Sequence, residues 1–304
     1  MKHLPHLVNW LFFAVSCWIV PTTCLAQGDD VIRVNTDLVV LNVTVTDKTG
    51  KYVSGLKAAD FKIFEDEKEV PAKLTSSFSV HESPYASVVL LDTSGSMETR
   101  MSLARSAAIR FLDGLRAEDV AAIYKFDYKI EEVQGFSSGR DLAPLAFGIR
   151  ARGMTMLNDA IIEAAKVLNE RNEPRKAIVI LSDGIDTFSR ASSGKALDTA
   201  LAVGASIYTV DMSATSDGIS QNRQSAAVLR NFAEKSGGRF VATAGGQELR
   251  DAFSQIAEEL GHQYTITYRP MNSARDGKWR TIDVQLSRND LLVRTRKGYR
   301  APKG

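Results

Sequence analysis

The stretch Ala86-Ser87-Val88-Val89-Leu90-Leu91-Asp92-Thr93-Ser94-Gly95-Ser96 decides the fold. Its first six residues form a short, nearly unbroken apolar run, the composition of a strand buried on both faces. The run ends at an aspartate, and small hydroxyl residues follow with a glycine among them. Beyond them Met101, Ala104, Ala108, Phe111 and Leu115 recur at the spacing of a helix that buries one side. Strand, polar turn and amphipathic helix in that order open a parallel α/β sheet.

The same rhythm continues downstream. Val120–Phe126 reads as a second strand and Ile130–Val133 as a short third one. Leu157, Ala160, Ile161, Ala164 and Leu168 mark a helix, and Pro174 stops it before the apolar strand Ala177–Leu181. A helix near 193–203, a strand at Ser206–Val210, a helix near 224–235 and a short strand at Arg239–Ala242 follow. The last helix carries Leu249, Ala252, Phe253, Ile256, Ala257 and Leu260, with Gly261 expected to cap its end. The expected fold is therefore a doubly wound α/β domain with a mainly parallel sheet, spanning 84–261. Ligands of such sheets bind beyond the carboxyl ends of the strands.

Both flanks carry β pattern instead. Residues 31–47 and 61–65 alternate apolar and polar around the turn Lys48-Thr49-Gly50-Lys51. Tyr264–Tyr268, Trp279–Leu286 and Leu291–Tyr299 read as three strands after the domain. Neither flank, 27–83 or 262–304, is long enough to bury a core alone, so the two are expected to form one small sandwich-like unit. The basic residues Arg294, Arg296, Lys297 and Arg300 read as a charged edge strand that discourages aggregation.

Residues 1–26 read as a secretory signal peptide: Lys2, the apolar run Leu7–Val20, Pro21, and small residues before a cleavage point after Ala26. Retention as an anchor, or acylation at Cys17 or Cys24, are the alternatives, and either would bring the chain to a membrane through its leader. An exported location, in the periplasm, cell envelope or outside the cell, follows. Both cysteines lie in this leader, so the exported chain would hold none, which excludes thiol catalysis and Cys/His zinc sites. Only His81 and His262 remain as histidine bases beyond the leader, and each flanks the α/β domain. A net charge of +2 with no basic motif points away from nucleic acid.

The chemistry concentrates on three strand ends. Asp92-x-Ser94-x-Ser96 follows the first strand, Gly153-Met154-Thr155 opens a helix, and Ser182-Asp183-Gly184 ends the strand Ala177–Leu181. Asp92, Ser94, Ser96, Thr155 and Asp183 are thus the candidate metal ligands. Neutral hydroxyls with few carboxylates suit a hard divalent cation that keeps appetite for one more oxygen. Asp127 and Asp211 also follow strands, where two readings stand equally: groups just outside the ligand shell, or loop caps. Asp159 either bonds water at the site or places favourable charge in a helix's first turn; Asp186 reads as solvated. Each residue alone fits a cap or turn, and it is the coincidence of five positions that favours metal.

The D-x-S-x-S, threonine-loop and S-D-G set, in this strand–helix order, resembles the metal-ion-dependent adhesion site of von Willebrand factor type A (VWA) domains. The resemblance covers about 84–261. The whole chain, with Gly55-Leu56, Asp60-Phe61 and Arg296-Lys297-Gly298-Tyr299, is similar to secreted bacterial VWA-related proteins. It implies Mg²⁺, with Mn²⁺ or Ca²⁺ as alternatives, and metal-dependent capture of an Asp or Glu carboxylate on a protein or peptide partner. Met154 departs from the pattern, since many relatives have glycine there. Two rivals are a structural subunit of an envelope assembly with a structural metal, and a metal-assisted hydrolase, for which no general base is evident.

Overall fold

The computed structural model describes residues 38–80, 83–138, 153–183, 186–213, 219–243 and 245–304. The leader, residues 27–37, His81 and Gly184 lie outside the described residues. The strands are β1 (Val39–Asp47), β2 (Phe61–Glu65), β3 (Lys68–Glu69), β4 (Thr75–Val80), β5 (Tyr85–Asp92), β6 (Val120–Phe126), β7 (Ile130–Ser137), β8 (Arg175–Ser182), β9 (Ala205–Asp211) and β10 (Phe240–Ala242). Four more close the chain: β11 (Tyr264–Tyr268), β12 (Trp279–Leu286), β13 (Leu291–Arg294) and β14 (Gly298–Arg300). The helices are α1 (Met101–Asp113), α2 (Leu157–Asn169), α3 (Ser193–Ala202), α4 (Ile219–Ser236) and α5 (Gly246–Gly261).

A six-stranded sheet in the order β10-β9-β8-β5-β6-β7 forms the α/β domain, and every neighbouring pair is parallel except β6 with β7. The apolar runs are explained by burial on both faces. Val89, Leu91, Val179 and Leu181 pack with Phe111 of α1 and with Phe253 and Ile256 of α5. The alternate residues Val88, Leu90, Ile178 and Ile180 are equally buried, on the side that α2 covers. β7 runs to Ser137, longer than its sequence suggested, because an antiparallel edge partner to β6 needs no unbroken apolar run. Gly261 does not terminate α5 in a left-handed turn. It is the last helical residue, and His262 closes the helix at φ −113°.

The flanks pair with each other as expected. β1 joins β11 and β13, and β12 joins β2 and β14, giving two four-stranded antiparallel sheets, β13-β1-β11-β4 and β14-β12-β2-β3. Leu41, Val43, Ile63, Tyr264, Ile266 and Val284 fill the space between them. Glu65 is buried there and accepts the Tyr268 and Tyr299 hydroxyls at 2.9 and 3.1 Å, which satisfies its desolvated carboxylate.

The basic segment corrects its sequence reading. It is not one edge strand: β13 and β14 belong to different sheets, and the residues between them run along the α/β domain. Arg294 pairs with buried Glu259 and donates to the Gly238 carbonyl at 2.8 Å. Arg296 is buried and donates to the Leu201 carbonyl at 3.0 Å, while Arg300 bonds Asp198 at 2.8 Å. Arg294, Arg296 and Arg300 fasten the sandwich to the domain through fixed planar donors.

Candidate metal centre

The in-register parallel strands bring the candidate residues to one edge. Asp92 lies opposite Phe126, the residue before Asp127, and Ser182 lies opposite Asp211. After β5 the chain cannot run straight on, because Asp92 turns its own backbone: its Oδ1 accepts the Ser94 amide at 2.8 Å. Thr93 is held to the Phe126 carbonyl at 2.9 Å, and Met97 is buried as the chain tightens into a 3-10 turn over Gly95–Arg100. The side chain of Ser94, at the cap of that turn, makes no capping bond; its Oγ stands 3.1 Å from Ser96 Oγ.

Two further loops meet this one. The Gly95 amide donates to the Gly153 carbonyl at 3.4 Å, which ties the threonine loop to the serine loop. A Cβ on Gly95 would find Gly153 no closer than 3.6 Å, so the approach is ordinary contact and does not itself demand glycine. Gly153 does need its freedom, with φ +35°. Thr155 is pinned on both sides, its amide donating to Thr187 Oγ1 and its carbonyl accepting the Thr187 and Phe188 amides, each at 3.0 Å. Asp92 Oδ2 accepts the Ser182 hydroxyl at 2.5 Å, which couples the β5 end to the β8 end beside Asp183.

The candidate ligands are mostly buried, and two carboxylates are among them. Asp92, Ser94, Thr155, Asp183 and Asp211 are all buried, whereas Ser96 is exposed. Burial pushes the Asp92 carboxyl up to about 7, with Asp183 adding to the rise and the Ser182 and Ser94 bonds opposing it. Asp211 is raised for the same first reason, again with Asp183 nearby, while Arg100 opposes the shift. Asp183 Oδ1 is buried without a hydrogen-bond partner among the described residues. An orphaned carboxylate oxygen beside a second buried carboxylate is costly, and a divalent cation would relieve both. The donor set fits such an ion: three hydroxyls and two carboxylates, with solvent access on the Ser96 side. Among the described residues no group of three or more His, Cys, Asp or Glu is placed to hold a metal ion, so a site here would depend on the hydroxyls as well as the carboxylates.

The outer aspartates have visible structural work. Asp127 bonds the Lys129 amide at 3.1 Å, and its carbonyl accepts the Met156 amide at 2.9 Å, so it holds the threonine loop from behind. Asp159 accepts the Arg190 and Ala191 amides at 3.0 Å each. Asp186 is not simply solvated: it accepts the Asn158 and Ser189 amides, which straps the loop after Asp183 to the start of α2. Asp211 accepts the Ser213 amide at 2.8 Å. Two contributors escaped the sequence reading. Ser182 was visible within the S-D-G signal but had no role assigned, and Thr187 carries no local signal.

Comparison with known proteins gives a match over part of the chain. Residues 87–185 match the family model of the von Willebrand factor type A domain. Over those residues the chain is similar to that family, and the parallel sheet flanked by helices is in keeping with the match. Among solved structures, an aerotolerance-related membrane protein of Bacteroides fragilis is 16% identical, with 58% of this chain and 98% of that one covered at a TM-score of 0.46. The von Willebrand factor domain of a type V pilus tip protein from Porphyromonas gingivalis is 13% identical, covering 58% and 94%, TM-score 0.49. A von Willebrand factor type A protein from Catenulispora acidiphila is 13% identical, covering 89% and 75%, TM-score 0.49. No curated protein sequence matches the chain.

Proposed function

We propose that this protein is an exported recognition module that captures a carboxylate of a protein or peptide partner through a divalent cation. Ser94, Ser96 and Thr155 would hold the ion with their hydroxyls, and Asp92 and Asp183 would do so directly or through water. Mg²⁺ suits the oxygen set, with Mn²⁺ or Ca²⁺ as alternatives. When bound, the ion would supply a Lewis-acidic position for the partner's Asp or Glu on the solvent side.

The observation that carries this reading is Asp183 Oδ1, buried without a hydrogen-bond partner among the described residues, near a fully buried Asp92 and beside an exposed Ser96. The protein's own part is preorganisation. Ser182 and the Ser94 amide orient Asp92, the Thr187 and Phe188 amides fix Thr155, and the strap at Asp159 and Asp186 holds the third loop. Among the described residues no helix is long and apolar enough to cross a membrane. Export rests on the reading of residues 1–26.

The test is capture of proteins from cell-envelope extract on the immobilised protein in Mg²⁺. The reading expects specific partners that are released by EDTA and absent on an Asp183→Ala column. Partners retained equally with EDTA and on the variant would contradict it.

A further inference from the structure

Five large apolar side chains are exposed among the described residues, and three of them gather around one segment. Tyr128, Met154 and Phe188 are 38%, 44% and 47% exposed. Met154 immediately precedes Thr155. Phe188 is bound by its amide to the Thr155 carbonyl at 3.0 Å, and Tyr128 follows Asp127, whose carbonyl holds the Met156 amide at 2.9 Å. They come from three separate loops, yet each is anchored within one residue of Thr155, a candidate metal ligand. The other two, Leu38 and Leu292, lie in the β flanks.

Turn geometry does not ask for these side chains. Loops that only connect elements are served by small polar residues, and exposed apolar residues collected around one segment mark a contact surface. Lys129, 5.8 Å from the Tyr128 ring centroid, is bridged to Glu131 at 2.7 Å, so the apolar side chains rather than that charge are what this rim offers a partner. A membrane would ask for a broad apolar or polybasic face, whereas this patch is three side chains beside polar candidate ligands on a chain of net charge +2.

We propose that Tyr128, Met154 and Phe188 set partner specificity by seating a large apolar or aromatic side chain adjacent to the captured Asp or Glu. The partner surface is thus a protein loop in which the carboxylate is flanked by such a residue. The inference rests on the metal-dependent reading above and adds the chemistry of the flank.

The test uses the whole protein loaded with Mn²⁺ and two labelled peptides, one with aspartate between Phe and Leu, the other with it between two serines. Binding is followed by fluorescence anisotropy, with Mn²⁺ uptake titrated separately. The expected result is a preference of about ten-fold for the apolar-flanked peptide. That preference should fall within about two-fold in a Tyr128→Ser/Met154→Ser/Phe188→Ser variant whose Mn²⁺ affinity is unchanged. Mn²⁺ uptake with equal binding of both peptides, or of neither, overturns the specificity inference alone. No Mn²⁺ uptake by the parent overturns the metal reading, and this one with it. Metal-independent binding to phosphatidylcholine vesicles that the variant loses, without any peptide preference, overturns it in favour of a lipid surface.

Discussion

Asp92 meets two opposed demands, since a metal needs it charged and its burial favours the protonated form. Its folded-state pKa of about 7 lies above the usual 3.8. In the metal-free protein this group's contribution to stability is therefore full below about pH 4 and is lost as pH rises through 7. The loss is on the order of 4 kcal/mol once the carboxyl is fully ionised. Metal-free protein should melt at a lower temperature at pH 8 than at pH 5, and Mg²⁺ should recover more of the difference at pH 8. Asp92→Asn keeps a carbonyl acceptor for the Ser94 amide and removes the charge. Without metal at pH 8 the variant should melt above the parent and ignore added Mg²⁺. Calorimetry at both pH values checks this; a variant less stable than the metal-free parent at pH 8 would contradict it. At this scale the candidate ligands are legible because each has a recognisable residue type just after a strand or just before a helix. Ser182 and Thr187 are harder to read, since their roles depend on which loop ends up opposite them.

Between elements, the junction of α5 with the sandwich rests on one carboxylate. Glu259 is buried and accepts Tyr208 OH at 2.8 Å, Thr44 Oγ1 at 3.2 Å and the Arg294 guanidinium. Replacing it by alanine strands a guanidinium and a tyrosine hydroxyl with their partner gone. Glu259→Ala should cost about 2–4 kcal/mol, less than a fully buried pair because Arg294 keeps some solvent. Urea unfolding measures it, and a cost under about 0.5 kcal/mol, as for a surface change, would sink the account. The α/β elements were readable because unbroken apolar strands and helical periodicity are strong local signals. The junction was not. Its residues look like surface charge, and only the tertiary neighbours Glu259, Leu201 and Asp198 reveal them as ties. The same holds for Leu291–Tyr299, read as one strand. There the chain leaves one sheet at Arg294 and enters the other at Gly298, and alternation in sequence does not register such a crossing.

For the molecule as a whole, the sandwich is assembled from segments on both sides of the α/β domain, and neither segment has a core without the other. The two parts should unfold together. Trp279 is the only tryptophan after residue 26 and sits in β12 of the sandwich, while the described α-helices belong to the α/β domain. Tryptophan fluorescence and far-ultraviolet circular dichroism should therefore report one coincident thermal transition. Two separated transitions would show that the sandwich is an independent appendage. The central claim is that three loops at the carboxyl edge of one sheet hold a divalent cation, and calorimetric titration of Mg²⁺ and Mn²⁺ tests it most directly. Saturable binding by the parent, absent from Ser94→Ala/Ser96→Ala with the fold intact by circular dichroism, is the predicted result. A folded parent that takes up neither ion, or a double variant that binds as well as the parent, would contradict it.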